Sequence, residues 1–93
     1  QTLGDRVFLN VPTRVAKQLL TLAETYVEDG ADDGVIPVPI SQDELAYLVG
    51  ASRETVSRAL NSYRRMGFLT TSHRRISITD VDALERMATS LSA

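Results

Sequence analysis

Apolar and polar positions along this chain follow two different periods. Val15, Leu19, Leu22, Ala23 and Tyr26 recur at i, i+4, i+7, i+8 and i+11, the spacing of one face of a helix. Asn10 is a good N-cap ahead of that series. Pro12 suits a first turn, where its missing N–H goes unused, so the pattern predicts a helix ending near Val27. Upstream, QTLGDRVFL (1–9) reads as the end of a preceding helix, with Leu3 and Val7 four apart. The period drops to two in VIPVPI (35–40), where Ile36, Val38 and Ile40 share a side. Pro37 and Pro39 remove N–H groups that would point the same way, so this is expected to be a short edge strand.

Helical spacing then resumes. Ser41 and Glu44 have the spacing of a capping box, with Ile40 placed to staple onto Leu45. The helix they open is expected to reach about Val49 and to bury Leu45, Leu48 and Val49. Gly50 is a natural left-handed residue at its end. Ser52 can cap a further helix, about 52–66, that buries Val56, Ala59, Leu60 and Tyr63 and stops at Gly67. FLTT (68–71) and RISI (75–78) bracket the polar turn Ser72-His73-Arg74, the signature of a small hairpin. Thr79 with Asp82 is expected to cap a last helix carrying Val81, Leu84, Met87 and Ala88. The fold class is therefore mainly α with a small antiparallel β wing. It is a winged helix-turn-helix: three-helix core, edge strand, β-hairpin wing at 68–78 and C-terminal helix. Residues 10–93 form this domain, and 1–9 are read as the end of a preceding interdomain or dimerisation helix.

Ninety-three residues suffice for one small core, and a hydrophobic content of 43% is that of a globular chain. The absence of cysteine excludes disulfides and thiolate metal sites and fits a cytoplasmic protein. No apolar run is long enough to cross a bilayer, so no membrane partner is expected. The net charge of −2 hides a strong asymmetry. Residues 1–50 carry −5, residues 51–75 carry +5 and residues 76–93 carry −2. A basic block of this kind inside an acidic domain is an electrostatic footprint for a polyanion. The acidic loop EDGADDG (28–34) lacks the spacing and closing Glu of a calcium loop and reads as solvated. His73 stands without a second His or any Cys, so neither a metal nor a catalytic site is expected.

A helix-turn-helix needs a small residue where its helices cross, a turn residue able to take positive φ, and an apolar anchor under the second helix. Ala46, Gly50 and Val56 supply them. The first residues of the second helix point into a major groove, where Arg can make two hydrogen bonds to guanine and Glu can accept from cytosine N4. Arg53, Glu54, Ser57 and Arg58 lie off the buried stripe and are the expected base readers; Glu54 and Arg58 are also i, i+4 neighbours able to hold one another.

At ISQDELAYLVGASRETVSRAL, above all Ser52-Arg53-Glu54-Thr55-Val56 and Arg58, the chain resembles the DNA-binding domain of the cyclic AMP receptor protein/FNR superfamily of bacterial transcription regulators. FLNVPTRVAKQLLTLAE (8–24) resembles that family's hinge and first helix, and RRISITD (74–80) its wing. The resemblance implies sequence-specific binding of double-stranded DNA, with Arg53, Glu54 and Arg58 reading a half-site related to TGTGA and Ser52 and Thr55 touching phosphates. Glu54-x-x-Ser57-Arg58 matches the E-x-x-S-R of the FNR branch, whereas Arg53 matches the cyclic AMP receptor branch and favours G·C, pointing to a GTGA-like core. It further implies a homodimer, and an effector such as a cyclic nucleotide bound in an N-terminal domain rather than any cofactor in this segment. RNA polymerase is implied as a further partner: the region equivalent to loop 28–34 meets it in some members of that family, although an acidic loop is more often simply solvated.

Simpler readings exist for each residue. Glu54 suits a helix start through the dipole alone, as Arg64 and Arg65 suit a helix end. His73, Arg74 and Arg75 suit a solvated turn as well as a phosphate contact. The competing function is a winged-helix protein-interaction module without specific DNA binding.

Overall fold

The computed structural model describes residues 3–27 and 34–89, with side chains described from Val11 onward. The elements are α1 (Leu3–Tyr26), β1 (Ile36–Val38), α2 (Gln42–Val49), α3 (Arg53–Arg65), β2 (Leu69–Ser72), β3 (Arg75–Ile78) and α4 (Val81–Thr89). The predicted order is thus observed, with one difference at the start. The chain does not break at Asn10: α1 runs through it, with Pro12 inside. Pro12 forfeits one N–H bond and crowds the turn before it, but Val11, Val15, Ala16, Leu19 and Ala23 form one buried face that packs the rest of the helix. The expectation for the acidic loop lies largely outside the described residues.

β3 is the centre of a three-stranded antiparallel sheet of order β1-β3-β2. Pro37 stands opposite Ser77, and Ile36 and Val38 stand opposite Ile78 and Ile76. β1 is therefore an edge strand, as Pro37 within it requires. Ile76 and Ile78 of β3 and Leu69 of β2 bury one face of the sheet against the helices.

Each turn of the helix-turn-helix is closed by local chemistry. Ser41 and Glu44 form the capping box: the Glu44 N–H donates to Ser41 Oγ at 3.1 Å and the Ser41 N–H donates to Glu44 Oε1 at 2.9 Å. Those bonds hold the Glu44 carboxyl below the usual carboxylate range, the Ser41 backbone first and its hydroxyl second, against a smaller opposing cost of burial. At the other end of α2, Gly50 takes φ 73, and the N–H groups of Gly50 and Ala51 return to the Tyr47 and Ala46 carbonyls. This is a Schellman closure. α3 ends in the same way at Gly67, φ 83, where Phe68 N–H reaches the Tyr63 carbonyl at 3.0 Å. The rings of Tyr63 and Phe68 stack across that closure, centroids 6.1 Å apart.

α3 is anchored beneath by Val56, Ala59, Leu60 and Tyr63, all buried. The Tyr63 hydroxyl donates to the Pro12 carbonyl at 2.6 Å, tying α3 to α1, and burial pushes its pKa up to about 12. Two smaller expectations are corrected. α4 is capped by Asp80, whose carboxylate accepts from Ala83 N–H at 3.0 Å, because Thr79 spends its hydroxyl on the Gly67 carbonyl at 2.8 Å. Leu48 is 48% exposed rather than buried, since Leu45, Ala46 and Val49 already fill the face that α2 turns inward. No described helix is long and apolar enough to cross a membrane.

A Cβ at Gly50 would meet nothing within 4 Å, so the cost of a side chain there is conformational alone. Gly50→Ala is expected to lower stability by about 1–2 kcal/mol in urea denaturation, with an unchanged m-value. The Glu44 carboxylate contributes stability that is full above pH 4.5, its ordinary value, and is lost as pH falls through its depressed folded-state pKa. Glu44→Gln keeps an acceptor for the Ser41 N–H. Its acid limb of stability against pH is expected to be flatter below that point, measured by thermal melts across an acid series.

Candidate nucleic-acid interface

The helical spacing of α3 sets two faces back to back. Opposite the buried stripe stand Glu54, Arg58, Asn61 and Arg65, one above another at i, i+4, i+7 and i+11, and all are exposed. The six arginines of residues 51–75, namely Arg53, Arg58, Arg64, Arg65, Arg74 and Arg75, are likewise exposed. The local charge noted in the sequence is therefore presented outward.

At the N-terminus of α3, Ser52 Oγ accepts from the Thr55 N–H at 3.1 Å and bonds Thr55 Oγ1 at 2.8 Å. Both hydroxyls thus sit at the positive end of the α3 dipole, where an anionic oxygen is favoured. Arg53 and Ser57 lie on the flank of α3 that faces α2. Arg53 Nη1 donates to Asp43 Oδ1 at 3.2 Å, and Ser57, half-buried, donates its hydroxyl proton to Gln42 Oε1. Ser57 then offers a ligand only its acceptor lone pairs. The expected Glu54–Arg58 pair is not formed. Both side chains stay in water, where such a pair is worth only a few tenths of a kcal/mol and does not hold two long side chains together.

The wing supplies the second wall. Ser72 stands opposite Arg75, so His73 and Arg74 form a two-residue loop, and Arg74 takes φ 57. Ser72, His73 and Arg74 share one recess with Arg53 and with Ser41, Gln42 and Asp43 at the start of α2. The Arg74 guanidinium is near enough to add a small further lowering to the Glu44 carboxyl. Three chain segments that carry site residues thus converge. Arg58 and Arg65 lie further along the outer stripe of α3, and Arg64, on its flank, donates to Asn61 Oδ1 at 3.4 Å.

Sequence reasoning missed three members of this surface. Gln42 and Asp43 read only as a helix start, since nothing in linear spacing joins them to residues ten and fifteen places on. Asn61 had a signal: it continues the Glu54–Arg58 stripe. Among the described residues no group of three or more His, Cys, Asp or Glu is placed to hold a metal ion.

A helix-turn-helix whose second helix is braced from below, exposed above and flanked by a basic hairpin defines the chain as a winged helix-turn-helix domain. Residues 13–87 match the family model of the Crp-like helix-turn-helix domain, and the chain belongs to that family. It is 40% identical over 86 residues to a CRP-like cAMP-activated global transcriptional regulator of Mycobacterium tuberculosis, covering 92% of this chain and 38% of that protein. It is 39% identical over 75 residues to the transcriptional regulator LdrP of Thermus thermophilus, covering 81% of this chain and 38% of that protein. Among solved structures, a CRP-family transcriptional regulator of Thermus thermophilus superposes with a TM-score of 0.74 at 38% identity, over 84% of this chain and 40% of that one. The chain thus spans well under half the length of these relatives.

Arg74 occupies backbone space that favours glycine. Arg74→Gly is expected to leave the domain as stable or more stable, by up to about 1 kcal/mol, in chemical denaturation. A loss of stability would mean that the Arg74 side chain holds the hairpin.

Proposed function

We propose that this chain is the DNA-binding part of a CRP/FNR-type transcription regulator, and that α3 reads a half-site in the major groove of double-stranded DNA. The observation that carries this reading is the exposed Glu54–Arg58 stripe of α3 above a wholly buried Val56–Leu60–Tyr63 anchor. A rigid helix bearing a carboxylate and guanidinium groups on its outer face has the donors and acceptors that distinguish base edges. The relatives are named transcriptional regulators rather than enzymes, and binding rather than catalysis follows.

Arg53 and Arg58 read guanine, and Glu54 accepts from a cytosine amino group. Ser57, its proton held by Gln42, accepts from an amino group as well. Arg53 favours a G·C pair, giving a GTGA-like core. Ser52 and Thr55 at the α3 N-terminus, Arg64 at its end, and His73, Arg74 and Arg75 in the wing contact phosphates. Phosphate contacts fix the register, and base contacts fix the sequence. In a homodimer the two copies of α3 would enter major grooves about 34 Å apart, one helical turn. The remaining length of the relatives implies a further domain. An effector such as a cyclic nucleotide would bind there; the mycobacterial relative is named as cAMP-activated. RNA polymerase would be a further partner of the whole regulator.

The test is fluorescence anisotropy on GTGA-bearing, singly substituted and random duplexes across a salt series. Specific binding should weaken steeply with salt, and Arg58→Ala should cost about 1–3 kcal/mol and relax discrimination at one base pair. Equal losses on every duplex would make Arg58 a phosphate contact. No preference among duplexes would favour a protein-interaction module.

A further inference from the structure

The Arg53–Asp43 ion pair has no evident structural purpose. Both side chains are exposed, at 56% and 74%, and an ion pair so open to water contributes little to stability. In the first turn of α2 the Asp43 carboxylate suits the helix dipole, but the cap itself does not use it. Ser41 and Glu44 complete the capping box between themselves, which leaves the Asp43 carboxylate free to turn toward α3. It nevertheless lies in the same recess as Arg53, His73 and Arg74, on the surface where a polyanion is proposed to bind.

We propose that Asp43 is a specificity-determining residue, which holds one N–H of the Arg53 guanidinium so that this cation serves a base edge rather than a phosphate. This rests on the DNA-reading function above. The contact engages Nη1 alone, at 3.2 Å. A guanidinium has five N–H donors in a planar fork, so a pair of parallel donors remains for guanine O6 and N7. A pair so exposed is weak, so it biases the direction of the fork rather than fixing the side chain. The same carboxylate repels phosphate oxygens. An arginine leaning on it is a poorer partner for the backbone of random DNA, where binding is electrostatic almost entirely. Both effects act in one direction. They raise the ratio of specific to non-specific affinity, and they do so at the base pair that Arg53 reads.

The protein, Asp43→Asn, Asp43→Glu and the same Asn change in an Arg53→Ala background are titrated by anisotropy against three duplexes. These are the preferred site, the site altered at the base pair where Arg53→Ala loses discrimination, and a random sequence. Asp43→Asn is expected to bind the random duplex about threefold or more tightly, with a salt dependence steeper by about one phosphate equivalent. Its discrimination at the Arg53 base pair is expected to fall by about fivefold, the lower range for one bidentate contact. Asp43→Glu, which keeps the charge and the reach, should stay near the parent protein. In the Arg53→Ala background the Asn change should no longer alter discrimination.

The inference is overturned if Asp43→Asn shifts all three duplexes by one factor, which is a general charge effect, or if it shifts none. It also fails if the change in discrimination survives without Arg53. A parent protein with no preference among the duplexes instead removes the DNA-reading function itself, and the inference falls with it.

Discussion

Between Val49 and Arg53 the chain turns from one helix into the next through Gly50, whose φ of 73 lets two N–H groups fold back onto the carbonyls of α2. What α3 presents to solvent depends on that left-handed residue. It brings Ser52 into position to cap α3, and it sets the crossing at which Ala46 and Val56 are both buried. With α3 launched at that angle, its outer stripe is fixed by 3.6-residue geometry, and its inner stripe has only one surface to pack against.

The brace beneath α3 is long-range. Tyr63 reaches back fifty-one residues to the Pro12 carbonyl, while its ring closes the α3 terminus against Phe68. One side chain therefore joins α1, α3 and the entry to the wing. The Thr79 hydroxyl on the Gly67 carbonyl and the Phe68 carbonyl, which accepts from Thr79 and Asp80, tie the exit of the wing to the same corner. A helix held at both ends presents its side chains without having to order itself first, and that lowers the entropy lost on binding.

Charge is organised on a finer scale than the net value. The domain is acidic overall, yet the guanidinium groups of α3 and the wing face outward, with Glu54 of α3 and the carboxylates of the first turn of α2 set among them. Asp43 and Glu44 look alike in the sequence. In the structure one is committed to an arginine of the next helix and the other to a cap. A surface that mixes a few carboxylates among its cations attracts a polyanion without gripping every phosphate equally.

Most of the architecture was legible because its signals are local. A capping box, two glycines after apolar runs, two prolines in a short alternating segment and a two-period hairpin each carry their own steric reason, and each element appears where those residues stand. The misreadings were also local. Asn10 resembles a cap, but α1 runs through it; Thr79 resembles a cap, but Gly67 takes its hydroxyl. Periodicity in the amino-acid sequence determined by itself which side of α3 is buried and which arginines are exposed, since burial of an apolar stripe follows from its spacing. Only the tertiary structure decided which partners those residues meet. Gln42 beside Ser57, Asp43 beside Arg53 and Pro12 above Tyr63 are contacts across a turn or across the whole fold. Their geometry is set by how helices pack rather than by any interval along the chain.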